Sequence, residues 1–167
     1  FIVMNAKRQI DRADIISMEA YGAERPERRR AVIEMKRHRR LEVGPVAAFY
    51  FENYATMWHQ VHEMLHIERG GEAQIADELV AYNPLIPIGK NLVATVMFEI
   101  DDEVRRRNFL GRLGGVEETA FLRFGCETVA SVPEADVDRT TAAGKAAPTA
   151  RPAVMPANRS AHPMNMP

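Results

Sequence analysis

The sequence predicts an α+β domain: a small antiparallel sheet with helices packed mainly on one face. Three observations lead there. A clear 3.6-residue apolar period occupies residues 53–69, and period-2 or continuous apolar runs occupy 41–51, 92–98 and 121–129. The strands are too few for a doubly wound parallel sheet, so a two-layer packing is the economical arrangement. A chain of 167 residues with 46% hydrophobic content suits one packed core rather than a disordered polymer. That domain is expected to span residues 1–139. From Thr140 the chain holds five of its ten prolines and no Phe, Trp or Tyr, so residues 140–167 are expected to be a disordered Ala/Pro-rich tail.

The first elements are two helices. Asp11 is placed to cap a short helix that turns Ile15, Ile16 and Met18 inward and ends at Gly22. Pro26 suits the first position of a second helix, which runs through Val32, Ile33 and Met35 to Arg40. Then Leu41, Val43, Ala47, Phe49 and Phe51 alternate as a strand, with Pro45 restricting the early part to an edge or a bend.

Residues 53–69 form the best-defined helix, in which Met57, Val61, Tyr54, Leu65 and Trp58 make one apolar stripe and Gly70-Gly71 stops it. Glu52-Asn53 ends the preceding strand and caps this helix. A further helix carries Ile75, Ala76, Leu79, Val80 and Tyr82 and ends at Asn83-Pro84. Residues 92–98 are apolar on both faces, as a central strand requires. Asp101, Asp102 and Glu103 open a short helix that Gly114-Gly115 closes, and a last strand over 121–129 turns Leu122, Phe124 and Cys126 inward.

Composition excludes several function classes. Cys126 is the only cysteine, so neither an internal disulfide nor a four-thiolate metal site can be built from this chain alone. That usage fits a reducing compartment, and cytoplasm is the expected location. No apolar run approaches the ~20 residues that span a bilayer. The chain starts at Phe1, and Met4 is expected to be the natural start. Gly89-Lys90 is followed by Asn91, so no phosphate loop is present, and three serines supply no nucleophile-elbow pattern.

Two patterns carry chemistry. His62-Glu63-Met64-Leu65-His66 has the H-E-x-x-H spacing that puts two imidazoles on one helix face for zinc, with the glutamate as general base. In that reading His62 and His66 ligate zinc or iron, Glu78 or Glu72 supplies a carboxylate, and Glu63 is catalytic. His59 joins the same flank, but it lies about 10 Å from His66 along the axis, too far for one ion to hold all three. The simpler reading is a polar row at the waterline with Glu63 toward solvent. Arg69 stands where the metzincin extension needs glycine. The second pattern is a basic stretch: residues 25–40 hold eight of 22 Lys and Arg, opposed only by Glu27 and Glu34. Arg28, Arg29, Arg30, Arg37, Arg39 and Arg40 would there neutralise phosphates of a nucleic acid or other polyanion, or form a solvated face. No aromatic is interleaved for base stacking. Trp58, Tyr54, Phe49 and Phe51 read as core, and Cys126 as a small buried apolar residue.

Several strings together resemble one bacterial family. They are Arg25-Pro26-Glu27-Arg28-Arg29-Arg30, Val43-Gly44-Pro45, Phe51-Glu52-Asn53, Thr56-Met57-Trp58, Glu63-Met64-Leu65 and Ile67-Glu68-Arg69, followed by Glu78-Leu79, Tyr82-Asn83 and Leu113-Gly114-Gly115. Over about residues 4–139 the chain resembles domain-of-unknown-function family 3501, which has no established activity. The resemblance implies a link to oxidative stress, with a rubrerythrin-type or iron–sulfur oxidoreductase protein as partner. It also implies arginine where this chain has His66, and an aromatic-rich strand beyond Thr140 that this chain lacks, as a reading-frame change would cause. The expectation is therefore a non-catalytic accessory or interaction module. The alternatives are a metal-binding protein or zinc-dependent hydrolase on His62 and His66, and polyanion binding through residues 25–40.

Overall fold

A computed structural model describes residues 7–113, 116–133 and 152–156. The element order is α1 (Met18–Arg37), β1 (Arg40–Val43), β2 (Ala47–Phe51), α2 (Tyr54–Glu68), α3 (Gly71–Tyr82), β3 (Asn91–Phe98), α4 (Glu103–Leu110), β4 (Phe121–Phe124), β5 (Glu127–Ala130), β6 (Val132–Pro133) and β7 (Pro152–Pro156). Short 3-10 turns lie at Arg12–Asp14, Asn83–Leu85 and Val116–Glu118. The architecture is α+β, as expected. One sheet runs in the order β1-β2-β3-β7-β6 with every pair antiparallel, and β4 and β5 form a separate hairpin.

The first helices differ from expectation. Asp11 opens only the 3-10 turn, and a single helix then runs from Met18 to Arg37, capped by the Ser17 hydroxyl accepting the Ala20 N–H. Gly22 does not end it and Pro26 does not begin another. Pro26 removes one intrahelical bond, to the Gly22 carbonyl, and tertiary contacts on either side outweigh that loss. Tyr21 is fully buried, and Arg25 is hydrogen-bonded to α2. Gly22 serves close approach instead: a Cβ there would sit 3.2 Å from Cε1 of His66.

The residues after α1 bend back as foreseen around Pro45. Gly44, at φ +65°, makes the turn that pairs edge strand β1 with β2. Asn53 caps α2 reciprocally with Thr56: the Thr56 N–H donates to Asn53 Oδ1 and the Asn53 N–H to Thr56 Oγ1, each at 2.9 Å. Arg69 closes α2 in the left-handed conformation, φ 55°, one residue before the two glycines. The expected stripe is the core. Met57, Val61 and Leu65 are buried with Ile10, Ile15, Ile75, Tyr82, Leu85, Ile86 and Val93, and Tyr54 and Trp58 pack on its margin. Ala76 and Val80 are the exceptions on α3, both exposed.

β3 is central, between β2 and β7. Alternation splits the sheet into two faces. One carries buried Ala48 and Val93 toward the core. The other carries exposed Leu41, Val43 and Leu92, with Phe98 packed on Phe109 of α4. The last expected strand is instead the hairpin β4–β5, turned by Gly125 at φ +57°. Cys126 therefore sits at the exposed turn rather than on an inward face, and Phe124 is exposed too. Within the stretch expected to be unstructured, Pro152–Pro156 add β7 to the edge of β3 that β2 leaves free. The backbone of this segment pairs with the free edge of β3, a long-range partner that composition alone does not reveal. The rest of that stretch, and Gly114-Gly115, lie outside the described residues. No helix among them is long and apolar enough to cross a membrane.

Candidate functional site

The H-E-x-x-H face of α2 does not point to solvent. It packs antiparallel on α1, with Met35 at Asn53, Arg28 over Trp58, Arg25 at Glu63 and Gly22 at His66. Residues four apart on each helix therefore meet in pairs. Tyr21 and Arg25 from α1 face His59 and Glu63 from α2.

His62 is completely buried and stacks on the Trp58 ring at 3.6 Å between centroids. Its Nε2 accepts the Ile16 backbone N–H at 3.2 Å, which places the proton on Nδ1, 2.7 Å from the Trp58 carbonyl oxygen. Both nitrogens are thus engaged, and burial pushes the imidazole down to about 4, against the opposing pull of that carbonyl. Trp58 is itself fixed by Nε1 donating to the Asp14 carbonyl at 2.9 Å and by the Arg28 guanidinium 4.6 Å over its ring.

Glu63 was expected near solvent and lies instead against α1. Arg25 grips it with two bonds, Nε to Oε1 at 2.8 Å and Nη2 to Oε2 at 2.9 Å, and the Tyr21 hydroxyl donates to Oε1 at 2.8 Å. Arg25 first, then Tyr21, holds the carboxyl down at about 2, overcoming partial burial. The single phenol proton goes to Glu63, so the Tyr21 oxygen accepts from Nδ1 of His59 at 3.0 Å. Burial, then the neighbouring carboxylate, raises the Tyr21 hydroxyl. Burial lowers His59, and Lys36, Arg29 and Arg25 push it the same way while Glu63 opposes them. The result is one chain of donors, from His59 through Tyr21 to Glu63, closed by Arg25. A carboxylate so held is a poor proton acceptor near neutral pH.

The remaining sequence-predicted residues lie elsewhere. His66 borders Gly22 and the edge of Tyr21, with ring centroids 5.8 Å apart. Glu78 accepts from Gln74 at 3.0 Å, and Glu72 is paired with Arg12 at 2.5 and 2.6 Å. Among the described residues no group of three or more His, Cys, Asp or Glu side chains is placed to hold a metal ion. The basic stretch is largely spent internally. Arg28 pairs with Glu24, Arg37 with Glu34, and Arg40 with Glu42 and Glu99, while Arg39 donates to the Phe51 carbonyl. Of the proposed polyanion contacts, Arg29 and Arg30 alone point out exposed without an acid partner among the described residues. Sequence reasoning missed Tyr21 and Arg25. Their four-residue spacing, matching that of His59 and Glu63, was the available signal.

Glu52, between β2 and α2, is buried. Its Oε1 accepts the Thr95 hydroxyl at 2.7 Å, and its Oε2 meets no donor among the described residues.

A family model described as "Protein of unknown function (DUF3501)" matches residues 9–148. The chain belongs to this family. A crystal structure of a novel protein of unknown function from Burkholderia pseudomallei K96243 is similar to the DUF3501 fold seen here. It shares 35% identity and a TM-score of 0.78, over 90% of this chain and 78% of that one. Among the curated proteins no match was found. The α1–α2 network spans residues 21–66 and so lies wholly within the matched DUF3501 region.

Proposed function

We propose that this DUF3501 chain is a non-catalytic accessory or interaction module, in which the H-E-x-x-H string locks α2 to α1 rather than binding zinc or iron. The observation that supports this reading is the use of both His62 nitrogens by backbone partners, leaving no lone pair for a metal. The capture of Glu63 by Arg25 and Tyr21 supports it from the side of the general base. The family resemblance supplies the first partner class to test, a rubrerythrin-type or iron–sulfur oxidoreductase protein, in a reducing cytoplasm.

Elemental analysis of purified protein tests the metal alternative. Zinc and iron are expected below about 0.2 per chain, unchanged in His66→Ala, because a true site binds tightly enough to survive purification. Close to one metal per chain, lost in His66→Ala with the fold retained by circular dichroism, would overturn the reading.

A further inference from the structure

The structure also carries a groove of about 650 Å³ along α4, lined by Asp102, Val104, Arg105, Asn108, Phe109, Arg112 and Leu113. α4 has no buried residue of its own, yet its side chains fall into two sets. One set maintains the helix: Asp102 caps it by accepting the Arg105 backbone N–H at 2.6 Å, Arg107 pairs with Glu103, and Arg106 donates to the Ile100 carbonyl at 2.8 Å. The other set lines the groove. Neither the Arg105 nor the Arg112 guanidinium has an acid partner among the described residues, and both are exposed on the groove. Asn108 lies between them in sequence. Arg105 lies in the first turn of α4 and Arg112 just past its C-cap, Gly111, and both long side chains line the same groove. The apolar part of the lining is Phe109, half-buried and held against Phe98 with ring centroids 5.7 Å apart, half-buried Leu113, and exposed Val104 at the rim. The only acid among the described lining residues is Asp102, already occupied as the cap.

We infer that this groove binds a small amphipathic carboxylate, its acid group between Arg105 and Arg112 with Asn108 donating, and its apolar body over Phe109 and Leu113. Charge selects the head, because guanidinium forks match a planar carboxylate. Size selects a small molecule, because the volume falls in the range of about 300–1,000 Å³ that such ligands occupy. This goes beyond the interaction-module reading and does not depend on it.

Octanoate, 1-octanol and acetate, titrated separately into the ¹⁵N-labelled full chain, test the inference. The expected result is saturable movement of the Asn108, Phe109 and Leu113 amide signals by octanoate, about tenfold tighter than by either control. Arg105→Gln with Arg112→Gln is expected to weaken octanoate about tenfold while circular dichroism stays unchanged, since both side chains are exposed. Absence of saturation by about 10 mM, equal binding of octanol or acetate, or indifference to the double substitution would each overturn it.

Discussion

His62→Ala is expected to lower the free energy of unfolding by about 3–5 kcal/mol, a fall in Tm of roughly 10–15 °C for a chain of this size. Three losses combine. The ring is fully buried against Trp58, so its removal leaves a cavity. The Ile16 N–H and the Trp58 carbonyl each lose a partner inside the protein. Thermal melting of the variant measures the sum, and a change under about 1 kcal/mol would show that the stack is not a structural lock. The same ring sets a pH dependence. Its folded value of about 4 lies below its ordinary 6.5, so the unfolded chain takes up a proton first as pH falls. Stability contributed by neutral His62 is therefore complete above pH 6.5 and is lost between there and about 4, with lowered His59 acting in the same direction. An NMR titration that keeps His62 neutral to about pH 4, with its proton on Nδ1, checks this without any substitution.

Glu63→Ala is the second large effect, expected at about 2–3 kcal/mol. The carboxylate side chain is only 14% exposed, and its loss strands the Arg25 guanidinium and the buried Tyr21 hydroxyl together. The value sits below that for a fully buried pair because Arg25 retains 29% exposure and can recover water. Glu63→Gln keeps an acceptor for Tyr21 and loses only the charge, so it is expected to cost about half as much. A double-mutant cycle with Arg25→Ala isolates the pair. Coupling indistinguishable from zero would mean that the bidentate contact does not hold the helices together. For pH the sign runs the same way in a lower window. The folded carboxyl lies at about 2 against an ordinary 4.5, so its contribution is present above 4.5 and disappears as pH falls toward 2. Acid unfolding is thus expected in two stages, histidines first and this carboxylate second.

How far the sequence could be read depends on the range of the interactions involved. The α2 boundaries were legible because the Asn53–Thr56 cap and the break at Arg69 are local and chemical. The α2 stripe was legible because burying one face of a helix leaves a period in the residues. α1 was misread at Gly22 and Pro26 because both are local helix breakers. Their acceptance rests on Tyr21, Arg25 and His66, which meet only across the helix pair. Cys126 was misplaced for a similar reason: alternation over 121–129 fits one strand or a hairpin equally, and Gly125 at positive φ decides it.

The candidate site divides along the same line. Spacing alone established that His59, His62, Glu63 and His66 share one flank of a helix, since four residues make nearly a whole turn. What that flank faces depends on the packing of α1, and no periodicity encodes a partner 38 residues away. Only the tertiary structure decided that the imidazoles border a tyrosine and an arginine. In that setting, backbone hydrogen bonds engage both nitrogens of His62, one of the two imidazoles that spacing had offered to a metal.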